Sequence, residues 1–116
     1  MDFQAILDKL LSLELEALYL QILALVLFAL GILVAVARRN VFFVLMGVEI
    51  ALNAVNLSFV GFAKTLPAEW SVAGQIFPLF TIAVAAAEAC VGLAMIILIF
   101  RKGESVDADS YSEMRG

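Results

Sequence analysis

The chain has no histidine, one cysteine (Cys90), two prolines and one tryptophan in 116 residues. A lone cysteine cannot close an internal disulfide. Without a Cys/His cluster there is no donor set for zinc, haem or an iron–sulfur centre. Charge is also scarce: 16% of residues are charged, and seven Lys+Arg stand against eleven Asp+Glu, for a net charge of −4. That is the wrong sign for a nucleic-acid binder, which needs a basic face. Neither GxxxxGK[ST] nor GxGxxG occurs, so no phosphate cradle is encoded. What the chain has in excess is apolar surface. Hydrophobic residues make up 65% and the mean hydropathy is +1.09, against roughly 45–50% apolar in a soluble domain. The length bounds the chain to one domain and leaves no room for a separate nucleotide-binding unit.

Three runs are long enough to cross a bilayer, which takes about 20 apolar residues in helix: 18–37, 41–63 and 76–100. They are expected to be helices, because lipid satisfies no backbone polar group and so short a chain cannot close a barrel. The fold class read here is an all-α membrane protein with three transmembrane helices. Arg38-Arg39-Asn40 makes a tight hairpin between the first two runs. Segment 64–75 separates the second and third, with Pro67 and Gly74 as breakers and Trp70 as an interfacial anchor. Three crossings put Arg38, Arg39, Arg101 and Lys102 on one side. The other side holds Lys9 and Lys64 among Asp2, Asp8, Glu14, Glu16 and Glu69. Lysine and arginine mark the cytoplasmic side, so the N-terminus is expected outside and the C-terminus inside.

The ends read differently. Phe3, Ile6, Leu7, Leu10 and Leu11 follow the spacing of an amphipathic helix. Residues 1–17 are therefore expected to form a short amphipathic helix on the outer interface or against a neighbour, or to extend the first span. The acidic character of this stretch does not fit a secretory or organellar presequence. The polar, acidic segment 103–116 is expected to be a cytoplasmic tail without a fold of its own.

Two acidic residues fall deep in the apolar runs. Glu88 is the midpoint of 76–100, and Glu49 lies three residues, or about 4.5 Å, from the middle of 41–63. Glu49 is about 15 Å of helix from Arg39, and Glu88 about 20 Å from Arg101. A charge at that depth costs about 2.5–3.5 kcal/mol. Removal from water disfavours the ionised carboxyl, and a second carboxylate nearby disfavours it further. Such a pair is expected to load and unload protons near neutral pH, as an intramembrane relay requires. The competing reading is a neutral Glu tying two helices by hydrogen bonds. Asn53 and Asn56 share a stripe with Glu49 at i+4 and i+7; they suit either a hydrated path or interhelical hydrogen bonds. The small residues around Glu88 (Ala83, Ala85, Ala86, Ala87, Ala89 and Gly92) favour close helix packing, with Glu88 buried in protein. Arg38 and Arg39 read first as positive-inside anchors.

Four features together carry a resemblance: the Arg pair ahead of the second run, Gly-Val-Glu within it, AAAEACVGLA in the third, and the ending SEMRG. They resemble subunit K of bacterial NADH:quinone oxidoreductase, respiratory Complex I, over approximately 18–116; the stretch before 18 looks like an extension. The resemblance implies a three-helix, multi-pass subunit of the membrane arm in the bacterial inner membrane. It implies that Glu49 and Glu88 belong to the proton-transfer path coupling quinone reduction to pumping, with Arg38 and Arg39 in support. It further implies no cofactor in this chain: NADH, FMN, iron–sulfur clusters and quinone are bound by other subunits. The implied neighbours are the membrane subunits J, A and N. The C-type subunit of a multisubunit cation/proton antiporter shares the pattern and is the alternative, as is a purely structural membrane subunit. Small multidrug exporters fit less well, having four spans and an acid in the first.

Overall fold

The computed structural model describes residues 2–103. The expected tail from residue 104 onward, with the SEMRG ending, lies outside the described residues. Three helices follow in order: α1 (Phe3–Ala37), α2 (Val41–Ala63) and α3 (Ala68–Arg101). All three are long and apolar enough to cross a membrane. No strand occurs among the described residues.

Helix boundaries follow local chemistry. The turn after α1 ends at Asn40, whose Oδ1 accepts a 2.9 Å hydrogen bond from the Phe42 backbone N–H and so caps α2. Arg38 lies over the Phe43 ring, 5.0 Å from its centroid. At the far end of α2, the Thr65 hydroxyl donates to the Phe62 carbonyl at 2.7 Å. Pro67 then takes the N-cap of α3 with φ −53° and ψ 151°. At the other end of α3, Gly103 adopts φ 73°, a left-handed conformation that suits glycine, and its N–H returns to the Phe100 carbonyl at 3.0 Å.

One boundary differs from the sequence expectation, and one open reading is decided. The amphipathic stretch takes the second of its two readings, an extension of the first span: it runs without a break into α1, which is 35 residues long, or about 52 Å. Nothing between Phe3 and Leu18 is a breaker, so the first span simply continues. The third helix starts at Ala68, not at 76. Once Pro67 has set the start, AEWSVAGQ contains only Gly74 as a weak spot, and one glycine costs a helix about 1 kcal/mol. The connection between α2 and α3 therefore shrinks to 64–67. Pro78 lies inside α3 and is buried.

Helix α2 is central, packed against both α1 and α3. Its two contact stripes lie on opposite sides. Toward α1 it presents Gly47, Ala51, Ala54, Ser58 and Gly61; toward α3 it presents the line that runs from Leu45 to Ala63. The α1–α2 crossing is made at glycine. A Cβ on Gly31 would stand 2.6 Å from the Ala51 nitrogen and 2.7 Å from the Gly47 oxygen, and one on Gly47 would stand 2.6 Å from the Gly31 oxygen. Only chains without side chains at that point let two backbones come so close. The buried apolar residues are small ones, Ala17, Ala24, Ala51, Ala54, Ala63 and Ala85, with Ile96 the exception. Large residues such as Leu25, Val36 and Phe77 point outward. This is packing by close backbone approach, with the oily side chains left for lipid or neighbouring subunits.

Candidate functional site

The α2–α3 seam carries the site. Gly92 faces Leu45, and Gly74 faces Ala63. These two contacts fix an antiparallel register in which Glu49 of α2 is level with Glu88 of α3. The same register brings the Arg101 end of α3 to the Arg38-Arg39 end of α2.

Level is not the same as joined. Glu49 is half-buried near the α3-facing line of α2. Its Oε1 is buried and meets no hydrogen-bonding group of the chain. Glu88 is exposed on the surface of this chain, beside its packed line and not within it. The reason is angular. The residues of α3 that turn toward α2 are Gly74, Pro78, Thr81, Ala85, Gly92 and Ile96, and Glu88 falls beside that line. Of the alanines near it, Ala85 is buried and Ala89 half-buried, whereas Ala83, Ala86 and Ala87 face outward. Glu88 lines a groove with Leu45, Val84, Ala87, Val91, Gly92 and Met95, which does not include Glu49.

The asparagines divide in the same way. Asn56 is buried, 6% exposed, and neither its Nδ2 nor its Oδ1 has a partner in the chain. Asn53, one turn from both Glu49 and Asn56, is exposed. Arg38 and Arg39 are exposed in the turn before α2, ahead of the N-terminal end of the helix that carries Glu49.

One polar pair escaped the sequence reading. Gln21 of α1 and Ser58 of α2 bond reciprocally: Gln21 Nε2 donates to the Ser58 carbonyl at 2.8 Å, and the Ser58 hydroxyl donates to Gln21 Oε1 at 2.6 Å. The signal was available, since a glutamine inside an apolar span needs a partner on a neighbouring helix. At the end of α2, Lys64 Nζ is 3.3 Å from Glu16 Oε2, an exposed ion pair tying α1 to α2. No group of three or more His, Cys, Asp or Glu able to hold a metal ion occurs among the described residues.

Residues 19–116 match the family model of NADH-ubiquinone/plastoquinone oxidoreductase chain 4L. The chain belongs to this family. Among relatives, NADH-quinone oxidoreductase subunit K of Geobacillus sp. (strain WCH70) is 48% identical over 94 residues, 81% of this chain and 89% of that one. Subunit K of Nitrosospira multiformis is 46% identical over 96 residues, 82% and 90% of the two chains. Subunit K of Thermomicrobium roseum is 42% identical over 102 residues, 88% and 97%. Both glutamates, both arginines and both asparagines lie inside the part matched by the chain 4L family. The match begins at residue 19, so Glu16 and the whole amphipathic stretch of α1 lie ahead of it.

Proposed function

We propose that this chain is the K-type membrane-arm subunit of a proton-translocating NADH:quinone oxidoreductase, and that Glu49 and Glu88 carry protons on the path that couples quinone reduction to pumping. The family membership supports the complex. The observation that supports the role is the state of Glu49. A carboxyl kept only to tie helices together has its polar atoms hydrogen-bonded, as Gln21 and Ser58 do at 2.6 and 2.8 Å. Glu49 instead holds a buried, unpartnered Oε1 on the central helix. An oxygen left open to a proton donor or acceptor outside its own chain is what a relay group requires.

In this reading Glu49 accepts a proton within the membrane and releases it as the balance of charge around it changes. Glu88 does the same at equal depth, facing away from the chain toward a neighbouring subunit. Arg38 and Arg39 bias the carboxyls from the cytoplasmic end, and Asn53 and Asn56 extend a polar stripe toward the other. The N-terminus lies outside and the C-terminus inside the bacterial inner membrane, because Arg38, Arg39, Arg101 and Lys102 share one side. NADH, FMN, iron–sulfur clusters and quinone are bound elsewhere in the complex. Subunits J, A and N cover the outward faces of α1 and α3.

Glu49→Gln tests this, since the amide keeps the shape but cannot ionise. The expected result is an assembled complex whose quinone-coupled proton transfer falls about tenfold or more, in line with the 10²–10⁴-fold that a positioned proton-transfer group contributes. Glu88→Gln is expected to act in the same direction. Full pumping by Glu49→Gln would favour a structural subunit. Purification of the tagged chain with antiporter subunits, in place of NADH dehydrogenase subunits, would move it to the antiporter class.

A further inference from the structure

Asn56 is the buried polar side chain among the described residues, and its whole amide is unpartnered within the chain. A primary amide offers two donors and an acceptor oxygen, and buried groups of this kind are almost always satisfied. The position limits what can satisfy it. Asn56 lies on the line of α2 that faces α3, and the register that pairs Leu45 with Gly92 and Ala63 with Gly74 sets it level with Thr81. The Thr81 hydroxyl donates to the Phe77 carbonyl at 3.0 Å, which leaves its oxygen free to accept. With the residue only 6% exposed, its own chain already covers it. A water molecule needs only about one small sphere of space and two to four polar partners, which suits a group so nearly covered.

We infer that a water molecule is held at Asn56 on the α2–α3 seam and that it links Glu49 to the side of the membrane where Lys64 lies. The water accepts from Nδ2 and donates one hydrogen to Oδ1, which leaves its second lone pair to accept from the run of waters and its second hydrogen to point onward, to the Thr81 hydroxyl oxygen or to the next water toward Lys64. Glu49 is seven residues away, or about 10.5 Å, a gap that about three hydrogen-bonded waters fill at roughly 2.8 Å each. At about 100° per residue, Leu52 and Asn53 lie to either side of the line between them, and the run follows the polar Asn53 flank. Along it each oxygen takes one proton and gives one up, leaving every water intact. Asn56 is a positioning residue in this path. The inference rests on the relay role proposed for Glu49.

The test uses the assembled complex in membranes. A density map that resolves ordered water is expected to show a peak about 2.7–3.2 Å from both Asn56 amide atoms. A polar group of another subunit in that place, or no peak, overturns the inference. In parallel, Asn56→Leu removes the polar partners at nearly constant volume, whereas Asn56→Ser keeps a hydroxyl and room for water. Asn56→Leu is expected to lower the protons moved per NADH oxidised severalfold while electron transfer to an artificial acceptor is unchanged; Asn56→Ser is expected to retain most of the pumping. Wild-type pumping by Asn56→Leu overturns the inference. Should Asn56→Leu fail to assemble, loss of both the water peak and the pumping in Asn56→Ser overturns it instead. A silent Asn56→Leu beside an inactive Glu49→Gln leaves the relay reading standing and removes only the water; a silent Glu49→Gln removes the relay itself.

Discussion

Replacing Gly47 by alanine puts a methyl carbon 2.5 Å from the Ala35 nitrogen and 2.6 Å from the Gly31 oxygen. Comfortable carbon contacts begin at about 3.5 Å, so α1 and α2 must part by about 1 Å where they cross. Both obstructing atoms are backbone, and no rotamer change clears them. Overfilling a tight contact costs about 1–3 kcal/mol, and a gap of this width forfeits about a quarter to a half of each neighbouring contact. Alanine returns about 0.8–1.0 kcal/mol of helix propensity. The balance for Gly47→Ala is a loss of about 1–2 kcal/mol, and Gly47→Ile, with a larger side chain at the same point, exceeds the upper end of that range. Gly61 and Gly92 supply the comparison. Their added carbons would meet Gln21 Nε2 at 2.8 Å and Leu45 Cδ1 at 2.9 Å, the far ends of flexible side chains. Gly92→Ala is expected to stay within about 0.5 kcal/mol of wild type; Gly61→Ala also meets the Leu20 Cβ at 3.2 Å and crowds the amide that bonds Ser58, so it is expected to cost up to about 1 kcal/mol. The native Glu16–Lys64 pair reports the outcome, because a carbodiimide can join a carboxylate and an amine 3.3 Å apart. Intact mass of the chain recovered from membranes gives the joined fraction, and native electrophoresis gives the assembled fraction. Both should fall in the order Gly61→Ala, Gly47→Ala, Gly47→Ile. Equal yields for Gly61→Ala and Gly47→Ile would refute the close crossing.

Two further expectations concern the polar ties. Gln21→Leu and Ser58→Ala are each expected to loosen α1 from α2, with a coupling of about 0.6–1.7 kcal/mol in a double-mutant cycle of denaturation in detergent; zero coupling would mean that the reciprocal bonds contribute nothing. Lys64→Gln is expected to change stability by under about 1 kcal/mol, with the difference vanishing in high salt, because both partners of the ion pair are exposed; a large, salt-insensitive loss would contradict an exposed pair.

Much of this architecture is legible in the residues because membrane spans announce themselves by length and oiliness. The run 41–63 coincides with α2, which has Asn40 as a cap at one end and Lys64 and Pro67 at the other. Starts and stops in weakly apolar sequence are harder. AEWSVAGQ has the hydropathy of a loop, yet it is helical because Pro67 sets the start and nothing after it stops the helix. The level of Glu49 and Glu88 along the α2–α3 seam follows from counting, since rise per residue is fixed. Which way each side chain turns does not, because spacing defines a stripe and not the neighbour that the stripe meets. Thus Asn53 and Asn56, read as a pair, differ completely in burial. Glu88 stands outside a packed line that its surrounding alanines only partly join. The Gly31–Gly47 crossing was equally hidden: two glycines in two apolar runs carry no mark that they will meet.

The unbroken length of α1 has a mechanical consequence. From its waist at Gly31 to Phe3 there are 28 residues of continuous helix, a stiff rod of about 42 Å. Pivoting such a rod by about 5° at the waist sweeps its tip sideways by nearly 4 Å, on the order of a helix's radius. A spectroscopic label on Phe3 would therefore magnify, far from the glutamates, any rocking of the first helix against the second during turnover.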